Sequence, residues 1–231
     1  RTPLTPIKGS IHTLMRRDAQ LGTDDRQQIY DIMLREEQRL EGLVNSLLRS
    51  TQLDTDGLVT DIAPVNWGAV VTEQVELFRR QDPSRTIEAT IGGGVRQATT
   101  DVDVATGILT NLLSNALKYA DAGTPIEVHV EAVPNDDGGD DVMTSVVDHG
   151  PGIPRSDQDR VFDKFTRLGD HLTRPQQGVG LGLYIARRSA EKLDGKLWVE
   201  STEGGGSTFR FTLPMAAPTR RRTPLEAPAT R

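Results

Sequence analysis

The sequence predicts an α+β protein, a helical hairpin followed by an α/β domain. Apolar residues recur at heptad steps over the first fifty positions, an amphipathic helix spans 102–119, and β-patterned segments flank that helix. The 231 residues suffice for one or two domains with a real core, and 35% hydrophobic with 26% charged residues suits a soluble globular chain. A net charge of −6 argues against a general nucleic-acid binder, and the lack of cysteine excludes disulfides and thiolate metal sites. No apolar run approaches the ~18 residues of a membrane span, and no secretory signal is visible. The chain starts with Arg, so it is read as a piece of a longer protein.

Leu4, Ile7, Ile11, Leu14 and Leu21 alternate three- and four-residue steps, with Asp18 in one slot. Ile29, Met33, Leu40, Leu43 and Leu47 do the same, with Glu36 in the gap, and Gly22-Thr23-Asp24-Asp25 between the two runs is a turn with capping residues. A hairpin with so narrow a seam buries little surface alone. A homodimeric four-helix bundle is one solution, and packing on the downstream domain is the other. The hairpin is assigned to residues 1–53, and the polar stretch 54–65 is a linker.

From Asn66 the pattern changes, and residues 66–214 form the second domain. Trp67, Val70, Val71, Val75 and Phe78 suit a helix that Asp82-Pro83-Ser84 ends. Residues 86–91 and 95–99 read as strands on either side of Gly92-Gly93-Gly94. Ile126, Val128, Val130 and Ala132 alternate with polar residues, an acidic loop follows at 134–141, and 142–147 returns as a strand. Val161, Phe162, Phe165 and Leu168 suggest a short helix, and a helix also runs from the glycines at 178–182 to about Leu193. Two further strands, 196–201 and 208–213, are joined through Gly204-Gly205-Gly206. Residues 215–231, rich in Ala, Pro, Thr and Arg, are expected to be a disordered, solvated tail, with contact to acidic lipid or nucleic acid the alternative.

The 102–119 helix carries an unusual face. At about 100° per residue, Asn111, Asn115 and Lys118 fall within about 60° of one another, on a helix otherwise lined by Val104, Ile108, Leu109, Leu112, Leu113, Ala116 and Leu117. The stripe is either a solvated face or a set of oxygen ligands and a cation for a metal-bound phosphate. No GxxxxGK[ST] loop is present, nor the Lys, HRD and DFG set of eukaryotic-type kinases. Gly178, Gly180 and Gly182 open a helix, where N–H groups suit a polyphosphate, but Leu183 stands where a dinucleotide motif requires glycine. Asp148 ends a strand and enters a glycine-containing turn, where its carboxylate can accept a hydrogen bond from an exocyclic amine such as that of adenine or serve as a plain turn cap.

Taken in order, these segments resemble two-component sensor histidine kinases. Asn111-Leu112-Leu113-Ser114-Asn115-Ala116-Leu117-Lys118-Tyr119 is similar to the N box of that family. Asp148-His149-Gly150-Pro151-Gly152-Ile153 resembles its G1 box, Val161-Phe162-Asp163-Lys164-Phe165-Thr166-Arg167 its F box, Gly178-Val179-Gly180-Leu181-Gly182-Leu183 its G2 box, and Gly206-Ser207-Thr208-Phe209 its last glycine-threonine segment. The resemblance covers about residues 1–214 and implies a Bergerat-type ATP-binding α/β sandwich with helices on one face of a mixed sheet. It implies that Asn115 binds Mg2+ with Asn111 assisting, that Lys118 and Arg167, with Lys164, reach the phosphates of ATP, and that Tyr119 flanks the nucleotide. Asp148 would read adenine, with Thr208 supporting it through water. Gly150, Gly152, Ile153, Gly178, Val179, Gly180, Leu181, Gly182 and Leu183 would shape the pocket and the hinges of a lid at 154–177.

The first residues, Arg1-Thr2-Pro3-Leu4-Thr5-Pro6-Ile7, resemble the end of the family's phosphoacceptor box. The acceptor histidine would lie three residues before Arg1, and Thr2 would sit where the family positions water for dephosphorylating its partner. The resemblance therefore implies a cytoplasmic catalytic core of a membrane-anchored sensor. It would be homodimeric through the hairpin and would pass the γ-phosphoryl group of Mg-ATP to histidine and on to an aspartate of a response-regulator receiver domain. This fragment is expected to bind ATP without phosphorylating itself at the usual site. The rival readings are a non-enzymatic nucleotide-binding dimerisation module and another ATPase of the same superfamily, whose members carry a glutamate where this chain has Asn111.

Overall fold

The computed structural model describes residues 4–17, 20–55, 59–95, 97–166 and 180–215. Thr2, Arg167, Gly178, Val179, the lid residues 167–177 and the tail beyond residue 215 lie outside the described residues. Two compact units divide the chain, one drawn from residues 1–59 and 159–188, the other from 60–158 and 189–231.

In the first unit, α1 (Leu4–Arg17) and α2 (Thr23–Asp54) form the expected hairpin. Gly22 precedes α2, and its N–H donates to the Asp25 carboxylate at 3.4 Å, which ties the turn to the first helical residues. Among the described residues of the two helices, only Ser10, Ser50 and Leu53 are buried. Leu4, Ile11, Met15, Tyr30, Leu34, Val44, Leu47 and Leu48 remain exposed. Leu53, near the end of α2, packs against Leu181, just before α5 (Gly182–Lys192), and against Ile185 in its first turn, with Tyr184 alongside. The expected helix around Phe162 is instead a pair of short 3-10 turns, 155–157 and 160–162. Pro154 precedes the first turn, and Phe165 adopts φ +63°, so neither end can extend as an α-helix.

The second unit contains β1 (Ala63–Val65), α3 (Trp67–Gln81), β2 (Ile87–Ile91), β3 (Ala98–Thr100), α4 (Val102–Tyr119), β4 (Ile126–Pro134), β5 (Asp140–Asp148), β6 (Leu197–Ser201) and β7 (Ser207–Pro214). The main sheet runs β2-β4-β5-β7-β6, parallel between β2 and β4 and antiparallel elsewhere. Strands β2 and β3 are neighbours in sequence but do not pair. β3 leaves the main sheet to pair antiparallel with β1.

One sheet face carries α3 and α4. The Trp67 indole N–H donates to Thr144 Oγ1 at 2.8 Å, and its ring meets Phe211 edge-on, with centroids 5.9 Å apart. Side chains alternate along a strand, so Val142, Val146 and Asp148 share the helix-facing side of β5 with Thr144, while Met143, Ser145 and Val147 take the other. Trp67, Val71, Ile108, Leu109, Leu112, Leu113, Val128 and Phe211 are completely buried in the core so formed.

Trp67→Phe would leave Thr144 Oγ1 without its buried donor as well as a cavity, and should lower the unfolding free energy by about 2 kcal/mol or more. Adding Thr144→Val should recover part of that loss, because the orphaned hydroxyl is then gone. Urea denaturation of the two variants measures the difference.

Candidate functional site

Helix α4 starts on Asp101, whose Oδ1 accepts from the N–H groups of Asp103 and Val104 at 3.0 and 3.1 Å. Its Oδ2 accepts from Asp61 N–H at 2.8 Å. A buried carboxylate at the positive end of the helix thus serves two segments at once. Val104, Ala105, Ile108, Leu109, Leu112, Leu113 and Ala116 occupy the buried side. Asn111, Asn115 and Lys118 are half-buried and Tyr119 is exposed, so the polar stripe expected from sequence sits at the helix surface. Asn111 spends its amide on the Gly107 carbonyl at 2.8 Å, leaving its carbonyl oxygen directed away from that bond. Among the described residues, no hydrogen bond engages the Asn115 carboxamide. The Lys118 ammonium lies 4.8 Å from the centre of the Tyr119 ring.

The turn after β5 meets the end of this helix. Asp148 is only 5% exposed. It accepts from Gly150 N–H at 3.0 Å and from the backbone N–H of Ser207. Burial holds its carboxyl above the usual range, and those two donors and the neighbouring His149 offset part of the shift. A side chain at Gly150 would put its Cβ 2.4 Å from the Tyr119 carbonyl oxygen, so only glycine lets the turn lie against the helix end. Asp121 N–H donates to the His149 carbonyl at 3.3 Å and joins the same two segments. Gly152 adopts φ +72° with its Cβ position 2.0 Å from the Thr202 carbonyl, which seats the second half of the turn on the β6–β7 loop. Ile153 N–H then donates to Ser201 Oγ at 2.7 Å.

Asn111, Asn115, Lys118, Tyr119, Asp148, Gly150, Gly152 and Ile153 all belong to this second unit, with Asp148 and Gly150 at the C-terminal end of α4. Thr208 is placed differently from the expectation. The register sets Ser207 opposite Asp148 and Thr208 opposite Val147, on the face away from the helices. Ser207 was missed because the strand period does not reveal which residue after Gly206 pairs with the aspartate. Asp101 was missed too, although an aspartate just before the apolar run is a legible capping signal. A polar cleft of about 480 Å3 also borders Asp148, lined by His149, Arg155, Glu200, Ser207 and Thr208 among others. No α4 residue lines it, so it is separate from the Asn111–Lys118 face.

Lys164, Gly180, Leu181, Gly182 and Leu183 belong to the first unit. There the Lys164 ammonium and the Tyr184 hydroxyl both bond the Asp54 carboxylate of α2. The two donors hold the Asp54 carboxyl below its usual range. Leu181 is buried against Leu53, and Gly180 accepts from Phe165 N–H at 2.8 Å.

Residues 100–217 match the family model of histidine kinase-, DNA gyrase B-, and HSP90-like ATPases, and residues 1–56 match the His Kinase A (phospho-acceptor) domain. The sensor histidine kinase AruS of Pseudomonas aeruginosa is 34% identical over 222 residues, 94% of this chain and 22% of AruS. The sensor histidine kinase WalK of Bacillus subtilis is 30% identical over 224 residues, 93% of this chain and 34% of WalK. The chain thus spans between about a fifth and a third of these curated relatives. The solved structure of full-length ShkA in complex with AMPPNP shares the fold with a TM-score of 0.71 at 24% identity, over 94% of this chain and 47% of ShkA.

The raised carboxyl of Asp148 has a measurable consequence. A group with a folded value above its unfolded one contributes stability that is complete below the unfolded value, about 3.9, and is lost as pH rises through the folded value. The stability difference between wild type and Asp148→Ala without nucleotide should therefore move against the wild type as pH rises above about 4, the unfolded value, read from urea melts at a series of pH values.

Proposed function

This chain belongs to the sensor histidine kinases, and we propose that it is the Mg-ATP-binding and phosphotransfer core of such a kinase. The observation that carries this reading is the packing of the Asp148–Gly150 turn against the C-terminal end of α4, the helix that carries the Asn111, Asn115 and Lys118 stripe. The residues fit the ligand. Asn115 offers an unengaged carboxamide, Asn111 a free carbonyl oxygen, and Lys118 a positive charge, the donor set for a hard cation and polyphosphate. Asp148, held partly against its own ionisation, gains when an exocyclic amine donates to it, as adenine does. Ser207, beside Asp148, takes the supporting place given to Thr208 from sequence. Full-length ShkA was solved with AMPPNP, an ATP analogue, which supports the same ligand class here.

Mg-ATP, when bound, would supply the γ-phosphoryl group for transfer to an imidazole nitrogen, with Mg-ADP as the leaving group. This chain's part is positioning and charge neutralisation. Asn111 and Asn115 would hold the metal, Lys118 would balance phosphate charge, and Asp148 with the Gly150 turn would fix the base end. Arg167, Gly178 and Val179, outside the described residues, keep the lid roles that the family resemblance gives them. The phosphoryl group then passes to an aspartate of a response-regulator receiver domain, and Thr2 positions the water that later hydrolyses this aspartyl phosphate to aspartate and inorganic phosphate. No helix among the described residues is long and apolar enough to cross a membrane. Anchoring belongs to the longer protein of which we take this core to be the cytoplasmic part. The exposed apolar band of the hairpin, with Tyr30, Leu34, Val44, Leu47 and Leu48 on α2, is the surface through which two copies form a four-helix bundle.

Asn115→Ala should weaken Mg-dependent ATP binding by more than about tenfold and abolish phosphorylation of a histidine-bearing hairpin supplied in trans. Calorimetry and a radiolabel assay read the two effects, and undiminished transfer would sink the assignment. The double variant Val44→Glu, Leu48→Glu should convert a dimer to a monomer in light scattering while leaving ATP affinity unchanged.

A further inference from the structure

Both ends of α4 are fastened by charged side chains from outside the helix. Asp101 caps the start. At the other end stands Arg85, a half-buried residue on the connection between α3 and β2. Its guanidinium donates through Nη1 to the Asp121 carbonyl at 2.6 Å, and through Nη2 to the carbonyls of Ala120 at 3.0 Å and Leu117 at 3.4 Å. The last carbonyls of a helix lack intrahelical donors and form the negative end of its dipole, so a guanidinium with several N–H groups in a fixed plane suits them well.

The carbonyls that Arg85 holds bracket Lys118 and Tyr119. They also lead directly to the turn after β5. The residue whose carbonyl takes the shortest of these bonds, Asp121, donates its own N–H to the His149 carbonyl, and Gly150 packs on the Tyr119 carbonyl. One guanidinium therefore sets the helix end, and through it the placement of Asp148 relative to Lys118.

We propose that Arg85 is a positioning residue of the nucleotide site, acting through the α4 C-terminus to hold Lys118, Tyr119 and the Asp148 turn in register. The inference rests on the reading of α4 as a nucleotide-binding helix. Arg79 provides a matched comparison. Its Nε donates to the Ile87 carbonyl at 2.6 Å, so it braces α3 against β2 without a bond to α4.

The test is calorimetric titration of the whole chain with Mg-AMPPNP, together with thermal melting, for wild type, Arg85→Ala, Arg85→Gln, Arg85→Lys and Arg79→Ala. Loss of the charge-assisted bonds in Arg85→Ala should weaken binding about tenfold. Arg85→Lys should recover part of the affinity. Arg79→Ala should lower the melting temperature with binding within about twofold of wild type. If Arg85→Ala does not fold, Arg85→Gln carries the same expectation, since it keeps reach and loses charge. A wild type that binds and an Arg85→Gln or Arg85→Ala chain that binds equally well overturn this inference alone, as does an equal loss in Arg79→Ala. A wild type that binds no nucleotide overturns the nucleotide reading and this inference with it.

Discussion

Helix α4 is amphipathic in an uncommon sense, and the second unit is built on that property. Its apolar side, from Val104 to Ala116, is out of water against α3 and the main sheet. Once that side is buried, helical geometry leaves no choice about where Asn111, Asn115 and Lys118 point. The burial that stabilises the domain is therefore the same event that orients its polar stripe. Trp67, pinned between Thr144 and Phe211, serves as the wedge that keeps the layer above the sheet at the right height.

The charged groups around this helix divide into two kinds. Asp101 and Arg85 match the helix dipole, are well supplied with backbone partners, and act as fasteners. Asp148 is different. It sits at a strand end with little water, and its carboxyl is held toward the protonated form despite two backbone donors. A group kept in that condition is improved by one more hydrogen-bond donor, which is the chemistry that the proposed nucleotide reading gives it. In the following turn, Gly150 allows close approach to the end of α4 and Gly152 to the β6–β7 loop.

The first unit is governed by incomplete burial. Its hairpin buries few side chains among the described residues, and near the end of α2 Leu53 is buried against Leu181 and Ile185. Beside that contact, Lys164 and Tyr184 both bond Asp54. Lys164 was expected from sequence to serve phosphate, and here its charge is matched by a carboxylate of the hairpin. Such an exposed pair is weak in water and can exchange partners at little cost.

Much was legible in the chain alone. Heptad steps in the hairpin, the 3.6 period of α4 and the alternation of β4 and β5 each report on local geometry, which the backbone imposes residue by residue. The order of the asparagine, aspartate and glycine segments was sufficient to suggest the family. Pairing was not legible. The parallel partnership of β2 with β4, the departure of β3 to β1, and the choice of Ser207 over Thr208 opposite Asp148 depend on contacts between distant segments, and a period of two is blind to a shift of one. The clamp of Arg85 on α4 lies in the same class. An arginine in a turn looks solvated until the fold brings a helix end to it, because only tertiary structure decides which carbonyls are left without donors and where they gather.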